Sequence, residues 1–194
     1  MRRLLALVTT LGVLFAAPAL AGGPDHVVTA SPTGDAQQIH RSGVQVATTG
    51  ADTVDSTNLA RATPHDCTGC EGIAVAFQAV IAKGDPSTVS PTNAAAAVNS
   101  NCTSCGAFAF AYQYVVTADG PAHLSPDARA QVADIRQQAA DLVDAGLPYD
   151  QLDARLHDLG DQFKAAIAGG LQSAGEHPHG GHAEERERTD GDPP

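Results

Sequence analysis

The sequence predicts an α+β fold: a small antiparallel sheet made from two duplicated C-x-x-C hairpins, packed with a C-terminal helical hairpin. Three observations predict it. Residues 66–78 recur without a gap as residues 101–113, 35 positions later, and the two copies hold all four cysteines. After the second cysteine of each copy, bulky side chains alternate with small ones, which is the period of a strand. From residue 125 the apolar spacing becomes helical.

The N-terminus reads as a secretory signal peptide over residues 1–21. Arg2 and Arg3 are followed by an apolar run from Leu4 to Ala17, and Ala19-Leu20-Ala21 places small residues where a signal peptidase reads. The run falls short of the roughly 20 residues that span a bilayer, and no cysteine follows the cleavage point to carry a lipid. Stable membrane insertion after cleavage is therefore not expected. The mature chain would carry nine basic and 22 acidic side chains, a formal charge of −13. That charge repels phosphate backbones and argues against nucleic acid as a partner.

Residues 22–54 are rich in Gly, Thr, Ser, Pro and Asp and read as a flexible lead-in, with Val44 to Thr48 as one short strand candidate. Residues 55–117 hold the repeat. The match extends upstream, where Thr57-Asn58 aligns with Thr92-Asn93, and downstream, where Val80 aligns with Val115. Lys83 to Pro91 is the linker between units. Ile73, Val75 and Phe77 alternate with Ala74, Ala76 and Gln78; Phe108, Phe110 and Tyr112 alternate with Ala109, Ala111 and Gln113. Residues 59–66 and 94–101 would supply the partner strands, with each C-x-x-C at a hairpin turn. The nearly all-Ala face would let a second layer approach closely.

Residues 118–173 supply that layer as a helical hairpin. Ser125-Pro126-Asp127 is a helix start, with Ser as N-cap and Pro at the first helical position. Val132, Ile135, Ala139 and Leu142 follow at helical spacing, up to Gly146. The second helix carries Leu152, Leu156, Leu159, Phe163, Ile167 and Leu171 as one stripe, which Gly160 weakens. Residues 174–194 are polar and charged and read as a disordered tail.

Four readings of Cys67, Cys70, Cys102 and Cys105 compete. Disulfides within each C-x-x-C would close tiny loops and stabilise by ~2 kcal/mol apiece on the chain-entropy model. Cross-unit disulfides would close longer loops, nearer ~4 kcal/mol each on the same model. A tetrathiolate zinc site needs the same four residues, but the 31-residue spacer is long and export favours oxidation. A thiol–disulfide exchange site normally opens a helix, whereas here a strand follows. Pairing stays open between the first two readings. His177, His179 and His182 form a short metal-ligand tract that suits Zn²⁺, Ni²⁺ or Cu²⁺. Asn58, Asn93, Gln78 and Gln113 read as amides that satisfy backbone groups. The sequence holds no nucleophile elbow, metalloprotease motif, P-loop or dinucleotide fingerprint.

The repeat resembles a group of actinobacterial exported or membrane-attached proteins of unknown function. These carry units of the form Asn…Cys-x-x-Cys…Ala-x-Ala-Phe-Gln. The matching residues are Asn58, Cys67, Cys70, Ala74, Ala76, Phe77 and Gln78, then Asn93, Cys102, Cys105, Ala109, Ala111, Tyr112 and Gln113. Tyr112 departs from the pattern, and the match covers about a third of the chain. The resemblance implies export and a structural repeat and brings no activity with it. The expected function is an exported, non-enzymatic structural or interaction module, secreted or envelope-associated. Its expected partner is a protein or envelope component, or a second copy of the chain. Extracellular metal binding is the alternative and thiol–disulfide oxidoreduction the third reading; no resident cofactor is expected.

Overall fold

The computed structural model describes residues 23–173 and the backbone of residues 183–191. The strands are β1 (His26–Ala30), β2 (Gln38–Thr49), β3 (Thr53–Val54), β4 (Thr57–Ala62), β5 (Glu71–Lys83), β6 (Thr88–Val89), β7 (Thr92–Ala97), β8 (Gly106–Ala118) and β9 (Ala122–Leu124). Helices α1 (Pro126–Val143) and α2 (Tyr149–Gly170) follow, then β10 (Leu171–Ser173) and β11 (Ala183–Gly191).

The small antiparallel sheet of C-x-x-C hairpins is not what forms. β4 and β5, expected as the two arms of one hairpin, lie in different sheets. Each pairs in parallel with its own counterpart one repeat away: β1, β4 and β7 make one sheet, β2, β5 and β8 a second, and β3 and β6 a third. The chain therefore winds as a parallel β-solenoid of three coils. The reason lies in the duplication itself. Two copies of one strand–corner–strand unit can pair along their whole length by stacking like on like, Asn58 on Asn93, Ala74 on Ala109 and Gln78 on Gln113. A hairpin would have set the Ala-rich faces of β4 and β5 edge to edge and left them open. In the solenoid those faces oppose each other, and Ala60, Ala62, Ala74, Ala76, Ala95, Ala97, Ala107, Ala109 and Ala111 share one buried cluster.

Residues 22–54, expected as a flexible lead-in, contain β1, β2 and β3, which form the first coil. Their composition is too polar to build a core alone. They bury what apolar surface they have by stacking on the second coil, where Val44 lies against Phe77 and Gln45 against Gln78. The interior narrows at this end. A Cβ on Gly43 would sit 2.7 Å from both His26 Nε2 and Val28 Cγ2, so the missing side chain is what lets the two sheets close over the interior. Gly43→Ala is expected to cost about 1–3 kcal/mol through overpacking, read as a lower urea midpoint at unchanged slope.

The helical hairpin packs on the bulky face of the long sheet rather than on its Ala face. Ile73, Val75, Phe77, Phe108, Phe110 and Tyr112 share one core with Val132, Ile135, Leu152, Leu156, Leu159, Phe163 and Ile167. Ridged side chains on both surfaces bury more apolar area than alanines could. The helix starts form as expected: Ser125 caps α1, its Oγ accepting from Ala128 N at 3.1 Å. Gly160 does more than weaken α2. A Cβ there would lie 2.9 Å from Tyr112 Cδ2, so its absence admits the Tyr112 ring against the helix. Leu171 ends the helical stripe as the first residue of β10, which pairs with β9. β11 lies antiparallel along the outer edge of β8.

Candidate functional site: the four-cysteine corner

Each coil turns between the short sheet and the long sheet at a corner, and in the second and third coils that corner is the C-x-x-C. The two corners are built alike. Backbone φ is positive at Asp66 and Gly69 in one and at Asn101 and Ser104 in the other. Asp and Asn are the side chains that tolerate that conformation best after glycine. The corners stack through isolated parallel bridges at His65 with Ser100 and Thr68 with Thr103. Gly69 N donates to Thr103 O at 2.8 Å, Thr103 N to Cys67 O at 3.2 Å and Gly106 N to Cys70 O at 2.9 Å. Outside, Asn101 Nδ2 donates to Asp66 Oδ1 at 3.1 Å. That bond, with a second from His65, holds the Asp66 carboxyl below the usual aspartate range. The first coil has no cysteines. Its corner is closed by Asp35, whose Oδ1 accepts from Thr68 N at 2.8 Å.

The structure pairs Cys67 with Cys70 and Cys102 with Cys105, each within its own coil. Stacking also brings the two pairs together. Across the coils, Sγ separations are 3.5 Å for Cys67 and Cys102, 3.9 Å for Cys67 and Cys105, 3.6 Å for Cys70 and Cys102, and 3.1 Å for Cys70 and Cys105. All four sulfurs lie within 4.8 Å of one another, a group able to hold a metal ion. Cys67, Cys70 and Cys105 are buried and Cys102 is half-buried. Burial denies most reagents access, and only Cys102 offers an approach. His177, His179 and His182, the other metal-ligand candidates, lie outside the described residues, as do residues 1–21, expected as a signal peptide.

The amides singled out in the repeat are deeper than half-buried. They form two polar ladders through the solenoid interior. Asn58 Nδ2 donates to Asn93 Oδ1 at 2.8 Å and lies within hydrogen-bond reach of Ala76 O and Tyr112 O. Asn93 Nδ2 donates to Ala111 O. Gln113 Nε2 donates to Gln78 Oε1 at 2.6 Å, and Gln78 Nε2 donates to Gln45 Oε1 at 2.9 Å. Sequence reasoning missed the first-coil members, Gln45 and His26. A signal was present: an apolar or aromatic residue followed by Gln occurs at 44–45, 77–78 and 112–113.

His26 stands where the other coils have asparagine, its Nδ1 3.1 Å from Asn58 Oδ1. Burial pushes its pKa below the ordinary imidazole value, against a smaller upward pull from the Asn58 hydrogen bond. The folded state thus resists a proton that the unfolded chain accepts near pH 6.5. Its contribution to stability is complete above about pH 6.5 and is lost as pH falls below that. The unfolding free energy should drop between pH 7 and 5, and His26→Asn, which restores the ladder residue, should flatten that slope.

A second polar cluster escaped the sequence. Glu71 accepts from Tyr149 Oη at 3.0 Å and lies 3.1 Å from His40 Nε2, while His40 Nδ1 lies 3.1 Å from Asp144 Oδ1. It ties the loop between the helices to the long sheet. Gly106, in register with Glu71, leaves the space that the Tyr149 hydroxyl occupies.

Fold and corner together define a class: a short parallel β-solenoid, buttressed on one face by a helical hairpin and clustered with cysteine at one corner. Comparison with protein-family models, with curated proteins and with solved structures found no match to this chain. No helix among the described residues is long and apolar enough to cross a membrane.

Proposed function

We propose that this chain is an exported, non-enzymatic structural or interaction module of the cell envelope or extracellular space, its coil corners stapled by disulfides. The observation that carries the reading is the use of the cysteines. All four sit at one buried corner, in two copies of one backbone conformation, bonded within their own coils. A thiol–disulfide enzyme needs an accessible, activated thiolate, commonly at a helix N-terminus. Here each second cysteine leads into a strand, and three of the four are buried. Duplication also suits a structural role, since the second and third coils repeat the same corner in the same backbone conformation. The basic N-terminus, the apolar run and the small residues before Gly22 support export.

The test is intact-mass analysis of the protein recovered from an exporting host. The expected product begins at Gly22, gains no adduct from a thiol alkylating agent without reduction, and gains four after it. Peptide mapping should return the Cys67–Cys70 and Cys102–Cys105 pairs. Four alkylatable thiols in the exported form would sink the disulfide reading. Turnover in an insulin-reduction assay would sink the non-enzymatic one.

A further inference from the structure

We infer that the four-cysteine corner is a redox-gated Zn²⁺ site: closed when Cys67–Cys70 and Cys102–Cys105 are disulfides, and a tetrathiolate when they are reduced. The inference rests on the structural reading of the corner above and adds a second state to it.

The spacing that counts against a zinc site in the sequence counts for one in the fold. The 31 residues between the two C-x-x-C pairs, with the four of one motif, complete one 35-residue turn of the solenoid, and they return the second pair directly beneath the first. A tetrahedral zinc site with Zn–S bonds of about 2.3 Å has edges of about 3.8 Å. Four of the six edges already exist as the cross-coil separations of 3.1–3.9 Å. The remaining two edges are the intracoil pairs, which are free to part once their bonds are reduced. The ligand set is complete within one chain, and the residues arrive on two backbones already locked in register by Gly69 N to Thr103 O and Gly106 N to Cys70 O. Four thiolates with no carboxylate or imidazole among them are a donor set suited to zinc rather than to a hard cation.

The chemistry balances with a dithiol as reductant. Two dithiols give four electrons and four protons to the two disulfides, leaving four cysteine thiols and two oxidised dithiols. One Zn²⁺ then binds the four sulfurs as thiolates and releases four protons. In reverse, two equivalents of a disulfide oxidant and four protons re-form the intracoil bonds, yield four small thiols and expel the metal. The two states cross-link different things. Each disulfide ties a corner to itself, whereas a zinc ion would tie the second coil to the third. Half-buried Cys102 is the sulfur through which an exchanging thiol would enter.

The test uses the full mature chain, reduced with a phosphine so that no added thiol competes for metal. Native mass spectrometry after one equivalent of Zn²⁺ should show one ion per chain and protection of all four cysteines from alkylation. Co²⁺ in its place should give the visible absorption of a tetrahedral thiolate complex. A small disulfide oxidant should then release the zinc to a chromogenic chelator. Cys102→Ser should lose stoichiometric binding, while the triple variant His177→Ala, His179→Ala, His182→Ala should keep it. A reduced chain that retains its helical circular dichroism yet binds no zinc overturns the proposal, as does binding that follows the histidines instead. Should reduction alone unfold the chain, zinc must restore the fold; failure to do so is equally fatal. Such failures would leave the disulfides of the exported form intact, whereas free thiols in the exported form would sink the disulfide reading and leave the metal site standing.

Discussion

Phe77→Ala is expected to lower the unfolding free energy by about 3–5 kcal/mol, the range for emptying a fully buried aromatic site. Phe77 has no exposed surface and sits at the centre of the seam between the long sheet and the helices. Its ring lies 5.6 Å from Phe110, 5.9 Å from Tyr112 and 5.9 Å from Phe163 between centroids. The cost combines lost transfer free energy with a cavity that cannot close. Backbone ladders to β2 and β8 hold the strand on both sides, so β5 cannot sag into the space. Phe77→Leu keeps most of the volume and should cost less than half as much. Urea unfolding of both variants checks this, with the slope unchanged if the transition stays two-state. A loss under about 1 kcal/mol for Phe77→Ala, against that range, would mean that the hairpin does not rest on this face.

That seam also shows where the sequence was legible. Alternation after each cysteine pair marks β5 and β8 correctly because period two is a local property of an extended chain. Ser125, Pro126 and the Leu152-to-Ile167 stripe mark the helices for the same kind of reason. Strand pairing is not local. The eight residues between β4 and β5 are as short as a hairpin loop, and nothing in their composition says that they turn a corner between two sheets instead. The clue lay in the repeat: a unit duplicated without a gap stacks most simply on itself, in parallel. The first coil was hidden because its offset from the second is 32 residues at β1 and 33 at β2, not 35. It also carries Val44 for the aromatic, Gly43 for the alanine and Asp35 in place of the cysteine chemistry. What it retained was Gln45, a ladder rung whose meaning appears only once the coils are stacked.

The corner was half legible for the same reason. Cysteine identity and the C-x-x-C spacing marked the candidates. Deciding how close the two pairs come requires the coil period to equal the repeat offset, which is a statement about the fold. Once β5 and β8 align Glu71 with Gly106, the cysteines immediately before them must meet. Duplication thus set the four-sulfur cluster in place as a by-product of stacking.

Stacking makes the amide ladders equally testable, and Asn58→Leu is expected to cost on the order of 3 kcal/mol by orphaning buried polar atoms. Asn58 has no exposed surface. Its Nδ2 is the donor to Asn93 Oδ1, and Ala76 O and Tyr112 O lose a close amide with it. His26 Nδ1 loses Asn58 Oδ1 as well. Leucine keeps the branched outline of asparagine and is larger, so no cavity forms and the loss reports orphaned hydrogen-bonding groups together with some overpacking. Asn93→Leu should also be costly, since it removes the Oδ1 that accepts from Asn58 Nδ2 and the Nδ2 that donates to Ala111 O. The informative measurement is the pair. If the two side chains are rungs of one ladder, the double variant removes donor and acceptor together. It should then be more stable than the sum of the singles predicts by roughly 1–2 kcal/mol, within the range for groups in direct contact. Strict additivity in urea unfolding would mean that the rung between the second and third coils is not made, and with it would go the like-on-like stacking on which the cysteine corner depends.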